Sequence, residues 1–262
     1  MALGWQTGSE AHPRGRPARP GRSPLSSISL TIVGAFELRV GGSLVVLPPS
    51  GQRVVAYLAL RHRPAARTSV AGTLWPEVPE DRAMANLRSA LWRLRRPGFR
   101  VLQSAGESLT LSPEVEVDLD LLVAAARRCI DHDGSPESAH VDRLAGGADV
   151  LGDWYDDWVQ IEREHFRQLR LQALEQLALE YAEAGHFGRA TEAALAAIAS
   201  EPLRESAHRA LIVVHLGQGN RSEAIRQYTI YRRLMREELD LEPSRQMDEV
   251  MGSLLTHVPG RA

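Results

Sequence analysis

One spacing constrains the fold of this chain more than any other feature, because three residue types recur 34 positions apart in its second half. The matching pairs are Leu177 and Leu211, Gly185 and Gly219, and Ala190 and Ala224. Thirty-four residues is the period of the tetratricopeptide repeat, a helix–turn–helix unit. The first copy also has Tyr181 and Pro202 at the positions of that pattern, whereas the second has His215 and Arg236. The spacing predicts stacked helical hairpins, with an ordinary helical bundle as the alternative.

The rest of the second half is predicted to be helical as well. From Trp154 to Leu255 we expect about five helices, because apolar residues keep helical spacing between the breaks. These breaks fall near Gly185, Pro202, Gly217–Gly219 and Pro243. Another helix is expected from about Leu119, and the polar residues 131–149 indicate a loop or a broken helix.

The first half has a different order of elements, with short strands on both sides of three helices. Runs rich in β-branched residues predict strands, and serines before apolar periodic runs predict helix caps at Ser50 and Ser69. The predicted strands cover 29–33, 36–40 and 43–47, the helices cover about 51–61, 70–75 and 81–96, and a hairpin with its turn at 104–107 covers 99–111. This order predicts a helix-turn-helix with a β-wing. Residues 115–120 form either one more strand or a linker.

The two halves of the chain also differ in charge. All 31 basic residues are arginine; residues 28–112 hold 11 of them against five acidic residues, and residues 113–262 hold 16 against 27. A basic front and an acidic back indicate two modules with different partners. Residues 1–27 alternate arginine with proline and are predicted to be a disordered basic tail. Its composition favours a solvated linker or a misassigned start codon over a DNA-binding arm.

We therefore predict a mainly α chain with a small β part. An N-terminal winged helix-turn-helix of the α+β type covers 28–112, and an all-α tetratricopeptide-like domain covers 113–262.

The third predicted helix has one apolar and one basic face. At about 100° per residue, a stripe that should face the core contains Met84, Leu87, Leu91 and Leu94. The opposite side contains Arg82, Asn86, Ser89, Arg93 and Arg96; Arg88 and Arg95 flank the core stripe, and Ala85 and Trp92 border the polar face. No acid follows Asp81, whereas a solvated face usually mixes both signs. Arginine pairs with guanine, asparagine pairs with adenine, and serine or further arginines hold phosphates, so this helix is predicted to read DNA in the major groove.

Several motifs resemble one known family. Leu74-Trp75-Pro76 and the run from Asn86 to Arg96 resemble the OmpR-type winged helix of the Streptomyces antibiotic regulatory protein family. The second half is similar to the bacterial transcriptional activation domain in the segments Asp153–Trp158, Pro202–Glu205 and Glu238–Ser244. The resemblance covers about residues 29–256.

The resemblance implies a transcriptional activator whose winged helix is of the two-component effector type. Many members of that family control secondary metabolism; they bind direct repeats near promoter −35 elements, several protomers in tandem, and contact RNA polymerase. The implied partners are double-stranded promoter DNA, RNA polymerase holoenzyme and further copies of this chain on DNA, in the cytoplasm at the nucleoid.

The resemblance also adds residues to the predicted DNA contacts. Trp75 would lie where the winged helix often contacts a phosphate, with core packing beside Leu74 as an equal alternative. The wing tip has no arginine, so Arg100 at the wing base is the nearest basic residue, and Arg53 of the first helix completes the set.

Other chemistries are not indicated by the sequence. The acidic stretch after Asp131 has Pro136 where a calcium loop needs glycine, and Cys129 with His132 lacks a second pair for zinc. A phosphate loop needs the lysine that this chain lacks. We expect no enzyme activity, no cofactor, no metal site and no membrane span.

Two other functions stay open. The helical half could make the chain a protein-interaction scaffold, although the acid-free helix face favours DNA contact. The same fold could also serve a repressor or a ligand-gated regulator, which the sequence does not distinguish from an activator.

Overall fold

A computed structural model describes residues 27–95, 100–134 and 137–255. In chain order the elements are β1 (Ile28–Thr31), β2 (Glu37–Val40), β3 (Ser43–Leu44), α1 (Pro49–Arg61), β4 (Ala65–Ala66), α2 (Arg67–Leu74), α3 (Glu80–Leu94), β5 (Leu102–Ala105), β6 (Ser108–Leu111), β7 (Val115–Val117), α4 (Asp118–Ile130), α5 (Ser138–Ala145), α6 (Asp157–Glu183), α7 (Phe187–Ser200), α8 (Glu205–Gly217), α9 (Arg221–Leu239) and α10 (Arg245–Leu255). The predicted fold class is confirmed, since a small winged helix-turn-helix precedes a helical half.

The strands form two small sheets, and each combines strands from before and after α3 in the sequence. The first has the order β3-β2-β1-β7, with β1 antiparallel to β2 and parallel to β7. Ile28 and Leu30 of β1 are buried while Ser29 between them is exposed, as expected for a strand with one face on the core. The second sheet has the order β4-β6-β5 and contains the wing hairpin, whose turn is shorter than predicted because β5 extends to Ala105. Of residues 115–120, the first three form the strand β7 and the last three already belong to α4.

The helix starts differ from the prediction. Ser50 and Ser69 lie inside α1 and α2 and cap neither helix. Instead α1 begins at Pro49, where the fixed φ of proline suits a helix and its missing N–H would have had no helical partner. The serine caps predicted from the sequence are therefore wrong by two residues for α1, whose cap is Pro48, and by three for α2, whose cap is Ala66, although both helices exist.

The 34-residue spacing corresponds to two helical hairpins, α6–α7 and α8–α9, with the same turn. Gly185 and Gly219 both have a positive φ, +75° and +77°, which glycine adopts without a steric penalty. The N–H of the residue after each glycine donates to a carbonyl five residues earlier, from His186 to Tyr181 at 2.7 Å and from Asn220 to His215 at 2.8 Å. Ala190 and Ala224 are fully buried where the second helix of each hairpin crosses the first. The five helices expected from Trp154 onward are confirmed.

A buried histidine holds the second hairpin together. His208 lies on α8, and its Nε2–H donates to the Pro202 carbonyl at 2.8 Å while Nδ1 accepts a hydrogen bond from the Gln227 amide at 2.7 Å. Its ring also packs 4.5 Å from that of Tyr231. Burial lowers the pKa of His208, against the opposing effects of the Pro202 hydrogen bond and of Glu205. The ring is therefore neutral in the folded chain.

A buried carboxylate joins the sheet to the helical half. Asp118, in the first turn of α4, accepts the N–H of Ile32 at 2.9 Å and that of Val33 at 3.3 Å. Arg143 of α5 donates to the same carboxylate at 2.5 Å. Next to it the chain at 32–34 pairs with 149–152 through backbone hydrogen bonds, such as Leu151 N–H to the Ile32 carbonyl at 2.8 Å. One buried apolar cluster accordingly runs from Ile28 to Val214 across the boundary predicted at 112/113.

In the part of the chain that the structure describes, no helix combines the length and the apolar character that crossing a membrane requires.

Replacing the buried carboxylate should weaken the whole fold. Asp118→Ala leaves two backbone N–H groups and Arg143 without their acceptor, so we expect the free energy of unfolding to fall by about 2–4 kcal/mol. Urea unfolding followed by circular dichroism measures this change. Glu116→Ala, two residues away and exposed on β7, is the matched control. Equal losses in the two variants would contradict the assigned role of Asp118.

Acidification should weaken the fold through His208. Because the folded chain holds the pKa of His208 below its usual 6.5, the unfolded chain binds this proton first as the pH falls. The His208 contribution is thus complete above 6.5 and is lost as the pH falls through 6.5 toward the lowered pKa of the folded state. Denaturant titrations from about pH 8 to about pH 5 measure this effect. Below 6.5 the wild type should lose stability more steeply than His208→Gln, and above 6.5 the two should change equally with pH. Parallel curves throughout would refute the assignment.

Candidate nucleic-acid interface

The side of α3 that faces the core differs from the predicted stripe. Ala83, Leu87, Ala90 and Leu94 are the buried residues of α3. Met84 and Leu91, which were predicted to face the core, are only half-buried at its edge. The two alanines face inward because α3 packs against α1 and α2, where a small side chain permits a close approach of the helices. The apolar pattern alone favoured the larger side chains and so placed the inward direction about 50° away from where it lies.

This rotation changes which residues occupy the centre of the exposed face. At about 100° per residue, Ala85 and Trp92 lie almost opposite the buried stripe, with Arg88 and Ser89 about 50° to either side. Both central residues were predicted to lie only at the border of the polar face. The remaining exposed residues of this surface lie farther round the helix: Arg82, Asn86, Arg93 and Arg95. Trp92 keeps 75 % of its surface exposed.

A basic groove runs between α3 and the wing. Four guanidinium groups line it together with polar wing residues; its lining includes Arg67, Arg88, Trp92, Arg95, Arg100, Gln103 and Ser104. Arg67, at the start of α2, donates from Nη2 to Ser104 Oγ at 3.2 Å, and its backbone N–H donates to the Glu107 carbonyl at 2.9 Å. These bonds attach the wing to the helix-turn-helix.

The charges on this surface are unneutralised. Among the described residues, no carboxylate pairs with Arg82, Arg88, Arg93, Arg95 or Arg100. Glu80 and Asp81 are the acids of α3, and both lie in its first turn, where the helix dipole favours negative charge. A row of exposed guanidinium groups without counter-ions attracts a polyanion.

Four of the predicted contact residues line this groove, namely Arg88, Trp92, Arg95 and Arg100, and most of the others are exposed elsewhere on α3. Seven are exposed on α3 or at its end, namely Arg82, Asn86, Arg88, Ser89, Trp92, Arg93 and Arg95. Arg100 is exposed at the wing base, and Arg96 lies outside the described residues. Arg67 was missed by the sequence reasoning. Its position just before the predicted Ser69 cap was the available signal, but its approach to the wing depends on β4 pairing with β6.

The position of Trp75 favours core packing over contact with a DNA phosphate. It is half-buried at the C-terminal end of α2 and packs against the main core. Its backbone N–H donates to the Ala71 carbonyl at 3.0 Å.

Arg53, which was also predicted to contact DNA, does not line this groove and is paired inside the chain. Its guanidinium donates to the carboxylate of Asp156, just before α6, and the two side chains are 29 % and 24 % exposed. The pair lies beside a chain of aromatic contacts, in which the ring of Tyr57 meets Trp158 edge-on at 5.4 Å and Trp158 meets Trp154 at 6.1 Å. Arg53 therefore attaches α1 to the helical half.

Neither the Cys129 thiol nor the possible metal ligands among the described residues form a reactive site. Burial, with a smaller effect of Glu180, raises the pKa of Cys129 to about 11, so this thiol is not ionised at neutral pH. Within the described ranges there is no cluster of three or more histidine, cysteine or acidic residues that could hold a metal ion.

Comparison with known proteins gives matches of three kinds: a family model, two curated relatives and a solved structure. Residues 117–255 match the family model of the bacterial transcriptional activator domain. Regulatory protein AfsR of Streptomyces coelicolor is 28 % identical over 237 residues, which are 86 % of this chain and 24 % of AfsR. The AfsR of Streptomyces griseus is 26 % identical over 249 residues, with 87 % and 24 % covered. The chain thus spans about a quarter of the length of these relatives.

A solved structure of Mycobacterium tuberculosis EmbR, in complex with a low-affinity phosphopeptide, has a similar fold. The TM-score is 0.70 at 19 % identity, and the match covers 90 % of this chain and 66 % of that one. At this identity the match supports the fold, including the succession of a winged helix and a helical half.

Whether Arg53 serves stability or DNA binding can be tested by measuring the two separately. Arg53→Ala should lower the free energy of unfolding by about 1–3 kcal/mol, because it leaves the mostly buried Asp156 carboxylate unpaired. Asp156→Ala should have a similar effect, and the double variant should lose less than the sum of the two. Urea unfolding measures all three variants, and a gel-shift titration measures DNA affinity, which should not change. Full stability with lost DNA affinity would return Arg53 to the DNA-contacting set.

Proposed function

The chain belongs to the bacterial transcriptional activator domain family, and on that premise we propose that it is a sequence-specific DNA-binding activator of transcription. The resemblance to the Streptomyces antibiotic regulatory protein family is confirmed by the family match, by AfsR and by the fold of EmbR. That family is one of transcription regulators and is not an enzyme class.

The observation that carries the proposal is the face of α3 with the groove beside it. An α-helix with its side chains is about 10–12 Å across and fits the major groove of B-DNA, which is about 12 Å wide. The exposed arginines of α3 have no carboxylate partner in the described part of the chain, and they can exchange solvent for phosphates or guanine edges.

Because α3 is turned by about 50° from the predicted orientation, we propose different roles for its exposed residues. Arg88, Ser89 and Trp92 lie near the centre of the face and are proposed to meet base edges. Asn86 and Arg93 lie toward one flank of the face. They reach the bases, as predicted from the sequence, if the helix tilts in the groove. Phosphate contacts are proposed for Arg67, Arg95 and Arg100, which line the groove, and for Arg82 in the first turn of α3. Arg96, outside the described residues, keeps the DNA contact predicted from the sequence.

The helical half supplies the protein contacts of the proposed activator. Its 16 arginines against 27 acidic residues at 113–262 make it unsuited to DNA and suited to protein surfaces. We propose that it contacts RNA polymerase and a neighbouring protomer, with copies of the chain bound in tandem to direct repeats near promoter −35 elements. The division into 28–112 for DNA and 113–262 for proteins belongs to this proposal, as does action in the cytoplasm at the nucleoid on secondary-metabolism genes.

A hollow in the helical half supports a second candidate function, that of a protein-interaction scaffold. The hollow lies between α6 and α8, and its apolar lining includes Ile130, Leu179, Val213 and Val250. Such a hollow suits a peptide or a helix of another protein. It does not explain the unpaired arginines of α3, so the activator is the preferred proposal.

A binding selection from random DNA tests the proposed function, because it finds the operator and tests the binding in one experiment. The full chain is used to enrich a pool of randomised duplexes, and footprinting then locates protection on the enriched DNA. We expect two or more direct repeats about one helical turn apart. Arg88→Ala and Arg93→Ala should each weaken specific binding by about 1–3 kcal/mol, that is about 5- to 150-fold, and relax specificity at one base position.

The control for these variants is Arg233→Ala, which removes an exposed arginine from α9 and should keep wild-type affinity. Failure to enrich any sequence would overturn the proposed function and favour the scaffold. Equal losses in all three variants would remove the assignment of α3. Transcription in vitro from a promoter carrying the enriched repeats then distinguishes activation from repression.

A further inference from the structure

One residue of the recognition face is chemically out of place among its neighbours. Trp92 is surrounded by polar and basic groups, yet it is the large apolar side chain at the centre of this surface, 75 % exposed. Leaving an indole in water forgoes the free energy that its burial would contribute. A large apolar group exposed at a fixed point of a basic surface is therefore informative about what that surface meets.

Among the described residues, the indole of Trp92 has no ring partner. No aromatic partner and no stacked guanidinium contacts it among the described residues, whose ring contacts lie at Tyr57, Tyr181 and elsewhere. The indole borders the α3–wing groove on one side and a shallow hollow with Pro48, Arg93 and Arg95 on the other. Arginines therefore line the hollows on both sides of the indole.

We propose that Trp92 packs against the C5 methyl group of a thymine in the major groove and is a specificity-determining residue of this chain. The inference rests on the proposed function, because it needs α3 to lie in that groove. In the major groove, the bases present hydrogen-bonding groups and one apolar group, the thymine methyl. An indole has a single donor and no acceptor, so it cannot satisfy the cytosine or adenine amino groups, and its large apolar faces match the methyl.

The flanking arginines make this contact position-specific. Arg88 and Arg95 reach out from one side of Trp92 and hold phosphates or a guanine, which sets the register of the helix on the duplex. With the register set, the indole meets one base step in each half-site. A thymine at that step gains apolar contact, whereas a cytosine presents its amino group to a ring that cannot accept a hydrogen bond.

Replacing single thymines by deoxyuridine removes only the methyl group and tests the contact directly. On the enriched operator, wild-type protein should lose about fourfold in affinity at one thymine per half-site, which corresponds to the ~0.8 kcal/mol of one buried methyl group. Trp92→Ala should bind the thymine and uracil operators equally. Trp92→Phe keeps an apolar ring without the N–H donor and should retain the preference for thymine.

The matched control is Tyr155→Ala, which removes an aromatic side chain that is 86 % exposed on the helical half and should keep the wild-type preference. The inference is overturned if no thymine shows a preference, or if Trp92→Ala keeps it. It is also overturned if Trp92→Phe loses the preference as fully as Trp92→Ala, because the N–H would then carry the contact. A selection that enriches no sequence overturns the proposed function itself, whereas an enriched operator without methyl dependence overturns this inference alone.

Discussion

The carboxylate of Asp118 is the interaction on which the arrangement of the two halves depends. Taking a carboxylate out of water is unfavourable unless its oxygens are hydrogen-bonded. Here two backbone N–H groups at the end of β1, the first turn of α4 and Arg143 of α5 all meet at the same side chain. The sheet, α4 and α5 can reach this arrangement together but not separately, so the winged helix and the helical half share one core.

The position of α3 relative to the helical half follows from that shared core. α1 packs against α3 on one side, and on the other it is attached to α6 by the Arg53–Asp156 pair and by the contact of Tyr57 with Trp158. The surface proposed to read DNA is therefore connected by packed side chains to the surface proposed to meet proteins. In tandem on DNA, each copy would present its helical half in a defined direction because no free linker separates the two modules in the described structure.

Local patterns predicted the parts of the fold that depend on neighbours in sequence. Gly185 and Gly219 lie in identical turns, each closed by hydrogen bonds within a few residues. Such local turns can be predicted from the spacing of the residues alone. The inward face of α3 was predicted with an error of about 50°, because Ala83 and Ala90 are buried by helices that approach from elsewhere in the chain. The basic character of the site could be predicted, and so could most of its residues. The central position of Trp92 could not, since it depends on which way the helix is turned.

The sequence by itself determined the order of most strands and helices, the 34-residue repeat and the separation of charge between the halves. Each of these follows from residue type and periodicity over a few turns of chain. Only the tertiary structure decided that Arg53 is paired with Asp156, that β7 lies beside β1, and that Trp92 faces outward. Arg53 and Asp156 are 103 residues apart, and β1 and β7 are similarly distant. Contacts across such separations are selected by how the whole core packs, which no local pattern encodes.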